Sequence, residues 1–275
     1  MKIAALQMVS SCSLPDNLAR ARALIAAAAE AGARLVALPE NFAFMGRDDR
    51  DKLGLAEPFG DGPAQAMLSE AARQHGLWVV GGSIAVATDD PERVGNTTLV
   101  YDPQGECVAR YDKIHLFCFD DVTAQGARRY DEALVLRAGE TPTAFEMSVD
   151  GQAWRVGLSI CYDLRFPELY RRLMTPPCDL ILVPSAFTYT TGRVHWELLL
   201  RARAVENQCY VMAPAQGGVH ENGRRTWGHS LIADAWGEVI ASHDEGEAVV
   251  VADLDRDHLA QVRQRLPALS HRRLV

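Results

Sequence analysis

Short apolar runs alternate with helical patterns along the first third of the chain. Ile3 to Met8 reads as a short buried strand, and after Asp16 the residues Leu18, Ala21, Leu24, Ile25 and Ala28 fall on one helical face with Gly32 as its stop. Leu35 to Leu38 is the next buried strand. A strand, a helix and a strand within the first 38 residues have the form of a right-handed βαβ crossover. Such units deliver functional groups at the carboxyl ends of their strands, and Pro39-Glu40 sits at one of these ends. The rhythm repeats: Pro63 to His75 predicts a helix closed by Gly76, and Leu77 to Val86 predicts an apolar strand with Gly81-Gly82 inside it.

After Asn96 the pattern changes to hairpins. Thr97 to Tyr101 turns through Asp102-Pro103-Gln104-Gly105 into Glu106 to Lys113, which predicts antiparallel pairing. Phe145 to Val149 and Trp154 to Cys161 turn at Asp150-Gly151, a dipeptide favoured by type I′ turns, so Cys161 ends a strand. Phe166-Pro167-Glu168 opens a helix, with proline at its start, and Cys161 therefore lies in a strand-to-helix elbow. Leu180 to Val183 reads as a strand, Val194 to Asn207 as a helix, Tyr210 to Ala213 as a strand and Leu231 to Leu254 as a hairpin through Trp236-Gly237-Glu238. Alternating βα units with added hairpins predict an α/β protein: a four-layer α-β-β-α sandwich of two mixed β-sheets with outer helices. No repeat or linker-like stretch interrupts it, so residues 1–275 read as one domain.

Composition narrows the partners. With 28 Lys and Arg against 36 Asp and Glu, the net charge is −8, which argues against nucleic acid or an anionic membrane surface as ligand. At 48% hydrophobic and 23% charged residues, the chain has the balance of a folded protein with a sizeable core. Gln7 breaks the first apolar run too early for a signal-peptide core, and no stretch approaches the roughly 18 apolar residues of a membrane span. The six cysteines, Cys12, Cys107, Cys118, Cys161, Cys178 and Cys209, form no C-x-x-C pair, which reads as reduced thiols in a cytoplasm.

Cys161 is the first candidate for chemistry. A cysteine after an apolar strand is commonly core, yet the run Tyr162-Asp163-Leu164-Arg165 that follows is unusually polar for a buried strand end. The free N–H groups of a coming helix would favour a thiolate or an oxyanion there. A thiol nucleophile needs a base, and His195 or His229 can serve in a Cys-His arrangement. The sequence carries no H-E-x-x-H, no P-loop and no G-x-G-x-x-G, and the isolated pair His115 and Cys118 reads as structural rather than metal-binding.

Three segments together carry a resemblance. Leu38-Pro39-Glu40, Tyr111-Asp112-Lys113-Ile114-His115-Leu116 and Cys161-Tyr162-Asp163-Leu164-Arg165-Phe166-Pro167-Glu168 resemble the Glu, Lys and Cys motifs of the nitrilase, or carbon–nitrogen hydrolase, superfamily, in that order and spaced by 73 and 48 residues. The similarity continues through Pro184 to Phe187, His195-Trp196-Glu197, Arg201 to Gln208 and Trp227 to Ser230. It implies that Cys161 attacks an amide or nitrile-type carbon, that Glu40 takes its proton in place of a histidine, and that Lys113 with the backbone N–H of Tyr162 stabilises the oxyanion. Lys113 would also favour the thiolate. Glu132 stands where the family's supporting carboxylate is expected, the alternative being a loop carboxylate paired with Arg128 or Arg129. The chemistry runs through a thioester at Cys161 and calls for neither metal nor organic cofactor. Retention of Glu40, Lys113 and Cys161 together argues against a non-catalytic binding or scaffold relative.

Within the superfamily these segments resemble the Nit branch of amidases. That likeness implies an amide substrate with an α-keto diacid acyl half: deaminated glutathione, cleaved to 2-oxoglutarate and Cys-Gly in metabolite repair, or else α-ketoglutaramate. Ala215-Gln216-Gly217-Gly218 resembles the first group, and a Gly-rich loop followed by Arg224-Arg225 offers room and cations for a peptide leaving group. Arg165 is the candidate for a substrate carboxylate, against a pairing with Asp163 or Glu168, while Phe187 and Trp196 read as core as readily as pocket wall. Cys118 occupies a place after Leu116-Phe117 where the branch often carries an acidic residue. The family implies at least a homodimer, through the elbow helix and the C-terminal tail.

Overall fold

The computed structural model describes residues 1–123 and 126–274, with side chains outside 121–128. Its first half runs Lys2–Gln7 (β1), Leu14–Glu30 (α1), Leu35–Ala37 (β2), Pro63–His75 (α2), Trp78–Val80 (β3), Ile84–Ala87 (β4), Val94–Tyr101 (β5), Cys107–Asp112 (β6), Cys118–Thr123 (β7), Gly126–Asp131 (β8) and Leu136–Arg137 (β9). The second half runs Ala144–Val149 (β10), Gln152–Leu158 (β11), Pro167–Leu173 (α3), Leu180–Leu182 (β12), Tyr189–Asn207 (α4), Tyr210–Ala213 (β13), Gly217–Val219 (β14), Arg225–Trp227 (β15), Ser230–Ala233 (β16), Val239–His243 (β17), Ala248–Asp253 (β18) and Arg256–Arg265 (α5).

Two mixed sheets result. The first has the order β18-β1-β2-β3-β5-β4, with β6 and β9 also on β5, and the second the order β10-β11-β12-β13-β16-β17. In each, parallel strands (β1, β2, β3; β11, β12, β13) form the centre and antiparallel strands the edges. The near-continuous apolar runs of the central strands follow from burial on both faces. Ile3, Ala5, Leu35, Ala37 and Val80 pack in one cluster with Val156, Leu158 and Leu180 of the second sheet. The intervening Ala4, Leu6, Val36 and Val79 pack instead with Ala21, Ile25 and Ala28 of α1 and Leu68, Ala71 and Ala72 of α2. Trp196, Leu200 and Ala204 of α4 and Leu169, Tyr170 and Leu173 of α3 join the second sheet's core, giving layers helix, sheet, sheet, helix.

Some expected boundaries move for local reasons. The cap of α1 is Ser13, whose side chain accepts from Asp16 N–H, so that helix starts ahead of Asp16. The run Leu77 to Val86 is two strands rather than one, because Gly82 turns the chain at φ +49 and lies so close to the Pro39 carbonyl oxygen that a Cβ would come within 2.0 Å of it. Strand β11 ends at Leu158, short of Cys161. The last apolar run is not a simple hairpin: β16 and β17 pair, but β18 crosses to the other sheet and pairs antiparallel with β1. Asp150 and Gly151 both have positive φ, as the I′ turn requires. Among the described residues no helix is long and apolar enough to cross a membrane.

Candidate active site

The two sheets direct their parallel strands' carboxyl ends to one place. Glu40 lies three residues beyond the end of β2, and Cys161 three residues beyond the end of β11. Cys161 begins a 3-10 turn, Cys161–Arg165, at φ +48, with its N–H donated to the Pro184 carbonyl at 3.0 Å. A left-handed conformation is costly for a residue with a side chain and aims the thiol away from the strand axis.

Lys113 leaves the end of β6 and reaches across to both carboxylates. Its Nζ is 2.9 Å from Glu40 Oε1, and 3.0 and 2.8 Å from Glu132 Oε1 and Oε2. Lys113 is fully buried and Glu40 is 2% exposed, so each charge depends on the other for its burial. Asn96 Nδ2 donates to Glu40 Oε1 at 2.9 Å and the Ala186 N–H to Oε2 at 2.8 Å. Glu132 is fixed in turn by the Phe117 N–H at 2.7 Å. Glu132 thus meets Lys113 and not the nearby arginines: Arg129 pairs with Asp120 and Asp131, and the side chain of Arg128 lies outside the described residues.

Electrostatics settle the resting proton positions. Burial pushes the Glu40 carboxyl up, but the Lys113 ammonium, the hydrogen bond from the Cys161 thiol and the Ala186 N–H together hold it well below the usual carboxylate range. For Lys113, burial pulls the ammonium down and Glu132 and Glu40 more than offset it, leaving it well above its ordinary value. The Cys161 thiol is pushed well up by burial and then by the Glu40 charge, against a smaller pull from Lys113. Lys113 pulls the thiol toward thiolate as expected, but burial and the adjacent carboxylate push harder the other way.

Asp163 joins the two halves of this arrangement. Fully buried, it accepts from the Tyr111 hydroxyl at 2.7 Å and the Ile160 N–H at 2.9 Å on one oxygen, and from the His115 N–H at 3.0 Å on the other, which also meets His115 Nδ1 at 2.7 Å. Tyr111 and His115 flank Lys113, and Ile160 precedes Cys161. The Tyr162 N–H lies in the first turn of the elbow, next to Cys161, where the turn itself supplies no acceptor.

A cleft opens over the thiol, lined by Glu40, Glu132, Phe117, Tyr162, Phe187, Thr188, Thr191, Arg165 and Arg224, among others. Arg165 does not pair with Asp163 or Glu168; its guanidinium lies 5.2 Å from the Phe187 ring and 3.3 Å from His195 Nδ1. Arg224 donates to the Ala186 carbonyl at 3.2 Å and lies over Tyr130 at 5.5 Å, and its Nε is buried without a partner among the described residues. Arg225, the first residue of β15, points elsewhere, onto the Tyr189 ring at 3.8 Å and to Glu245 at 2.7 Å. Of the two arginines expected to meet the substrate, Arg224 lines the cleft and Arg225 does not.

Gly217 does not line this cleft. A Cβ there would meet Gly228 Cα at 2.7 Å, so its bareness serves close packing of the β14–β15 hairpin that carries Arg224 inward. Gln216 braces the site from behind, donating to Ser10 Oγ at 2.8 Å and to the Glu40 carbonyl at 3.1 Å. Neither His195 nor His229 lines the cleft: His229 stacks on Trp227 at 4.0 Å. His115 is held by Asp163 while Cys118 is exposed beside Arg129, and among the described residues no group of three or more His, Cys, Asp or Glu is placed to hold a metal ion.

A family model described as carbon-nitrogen hydrolase matches residues 2–264. The chain belongs to the carbon–nitrogen hydrolase family. It is thus a hydrolase of amide carbon–nitrogen bonds. A Synechocystis protein named deaminated glutathione amidase is 42% identical over 273 residues, covering 99% of this chain and 98% of that protein. The human protein of the same name is 37% identical over 274 residues, covering 98% and 82%. The crystal structure of the C. elegans NitFhit protein superposes with a TM-score of 0.89 at 38% identity, covering 99% of this chain; this hydrolase spans 65% of that longer one.

Asn96 and the Ala186 N–H were missed in the sequence. The first left a trace, an amide inside a strand, β5, that is buried along its whole length; a backbone donor leaves none.

Proposed function

We propose that the protein hydrolyses the amide of deaminated glutathione, releasing 2-oxoglutarate and Cys-Gly through a thioester on Cys161. The observation that carries the proposal is the meeting of the Cys161 thiol, the Glu40 carboxylate and the Lys113 ammonium under one cleft with two arginines, in a family whose full-length relatives bear that activity in their names. Glu40 takes the thiol proton as sulfur attacks the amide carbon. The oxyanion forms between the Lys113 ammonium and the Tyr162 N–H, donors already in place before the reaction. Protonated Glu40 delivers its proton to the leaving nitrogen, Cys-Gly departs, and Glu40 then activates the water that opens the thioester. Glu132 keeps the Lys113 ammonium in position through its two contacts.

Arg165 holds the α-keto carboxylate against the Phe187 wall, and Arg224 meets the carboxylate of the departing dipeptide. A homo-oligomer and a cytoplasmic location belong to the same proposal. The test is kcat/KM on deaminated glutathione and on α-ketoglutaramate, with Cys161→Ala as blank. Loss of the dipeptide contact predicts a preference of about a hundredfold for the first substrate. The opposite preference rejects the substrate assignment, and turnover by Cys161→Ala rejects the thioester.

A further inference from the structure

We propose that Asn96 is a positioning residue that dictates which oxygen of Glu40 receives the Cys161 proton, an inference that rests on the reading of Glu40 as base given above. A carboxylate offers about four lone-pair directions. On Glu40, Oε1 accepts from Lys113 Nζ at 2.9 Å and from Asn96 Nδ2 at 2.9 Å, while Oε2 accepts from the Ala186 N–H at 2.8 Å. The lone pair left open is on Oε2. Asn96 and Lys113 together therefore close Oε1 to protons.

The residue is present for its NH2 group. Asn96 is 3% exposed and its Oδ1 is buried with no partner among the described residues, an unmet acceptor that a purely structural amide would satisfy. Reversing the amide would set Oδ1 against a carboxylate oxygen. The same residue also fixes Lys113 from behind, since its carbonyl accepts the Lys113 N–H at 2.9 Å. One position in β5 thus holds both groups that Cys161 depends on.

In the first step the Cys161 S–H bond breaks and its proton passes to Glu40 Oε2 as the S–C bond forms and the carbonyl π pair moves onto oxygen. In the second, the C–N bond breaks and the Oε2 proton goes to nitrogen. Without Asn96 a second lone pair opens on Oε1. A proton parked there sits on the Lys113 side, away from both sulfur and nitrogen.

Two variants test this. Asn96→Leu keeps the branched shape and removes the donor, and kcat should fall about tenfold with KM unchanged. Asn96→Asp keeps the shape but faces Glu40 with a like charge, so the pair shares a proton; kcat/KM should acquire an acid limb at about pH 5 to 7, where the parent is flat. Urea unfolding of both reports the folded fraction. A kcat loss with unchanged KM plus the new limb supports the inference. A loss that tracks the folded fraction with no limb, or two variants that behave like the parent, overturns it. If Asn96→Leu does not fold, the limb in Asn96→Asp decides alone. Glu40→Gln run in parallel separates the two readings: full activity there rejects Glu40 as base and this inference with it, whereas an inactive Glu40→Gln beside parent-like Asn96 variants rejects the inference only.

Discussion

Two groups of charges meet at the cleft and are treated in opposite ways. Around Lys113 every charge has a counter-charge within the protein: the ammonium lies against Glu40 and Glu132, and both carboxylates take further backbone or amide donors. At the mouth, Arg165 and Arg224 form no ion pair among the described residues and rest on aromatic rings, a histidine and a carbonyl. The inner cluster is complete before substrate arrives. The outer pair is left for charges that the substrate brings. Chemistry common to many amides is built into the first, and preference among amides into the second.

The comparison breaks most violently at Lys113. Lys113→Met leaves Glu40 and Glu132 buried without their cation, and urea unfolding should record a loss of about 3–5 kcal/mol together with the activity. A midpoint within error of the parent would mean that the cluster is not held by charge. Arg165→Met and Arg224→Met should act on binding instead. Each removes one charge-assisted contact, so KM should rise about 10- to 100-fold with kcat largely kept, while Arg225→Met changes neither. Equal losses at Arg224 and Arg225 would show that the strand does not face the cleft as described.

The smallest effect is on the thiol itself, read as the rate of Cys161 alkylation by iodoacetamide against pH, followed by mass spectrometry of its peptide. The Glu40 charge raises the thiol and Lys113 lowers it, so Glu40→Gln should move the curve to lower pH and Lys113→Met to higher. Curves that coincide would remove Glu40 from the thiol's surroundings.

Much of this arrangement could be read from the chain because it is written in local patterns. The apolar runs of β1, β2 and β12, the Asp150-Gly151 turn and Pro167 at the start of α3 each declare themselves within a few residues. What escaped depends on contacts between distant segments. β18 reads as an apolar strand whichever sheet it joins, since both are buried. Arg224 and Arg225 are indistinguishable until the place where β15 begins sets one in the turn and the other on the strand. The thiol's protonation follows from how deeply two halves of the chain bury it, which motif spacing does not express.

Asp163 carries one more consequence. Its carboxylate is shared between the strand that delivers Lys113 and the elbow that delivers Cys161, and these belong to different sheets. A nascent chain that has made only β1 to β9 owns a base and a cation but no sulfur aimed at them, while the second sheet alone owns a sulfur with no base. Hydrolytic power is therefore born late, at the moment the two sheets close on each other, and an unfinished chain passes through the cell without it.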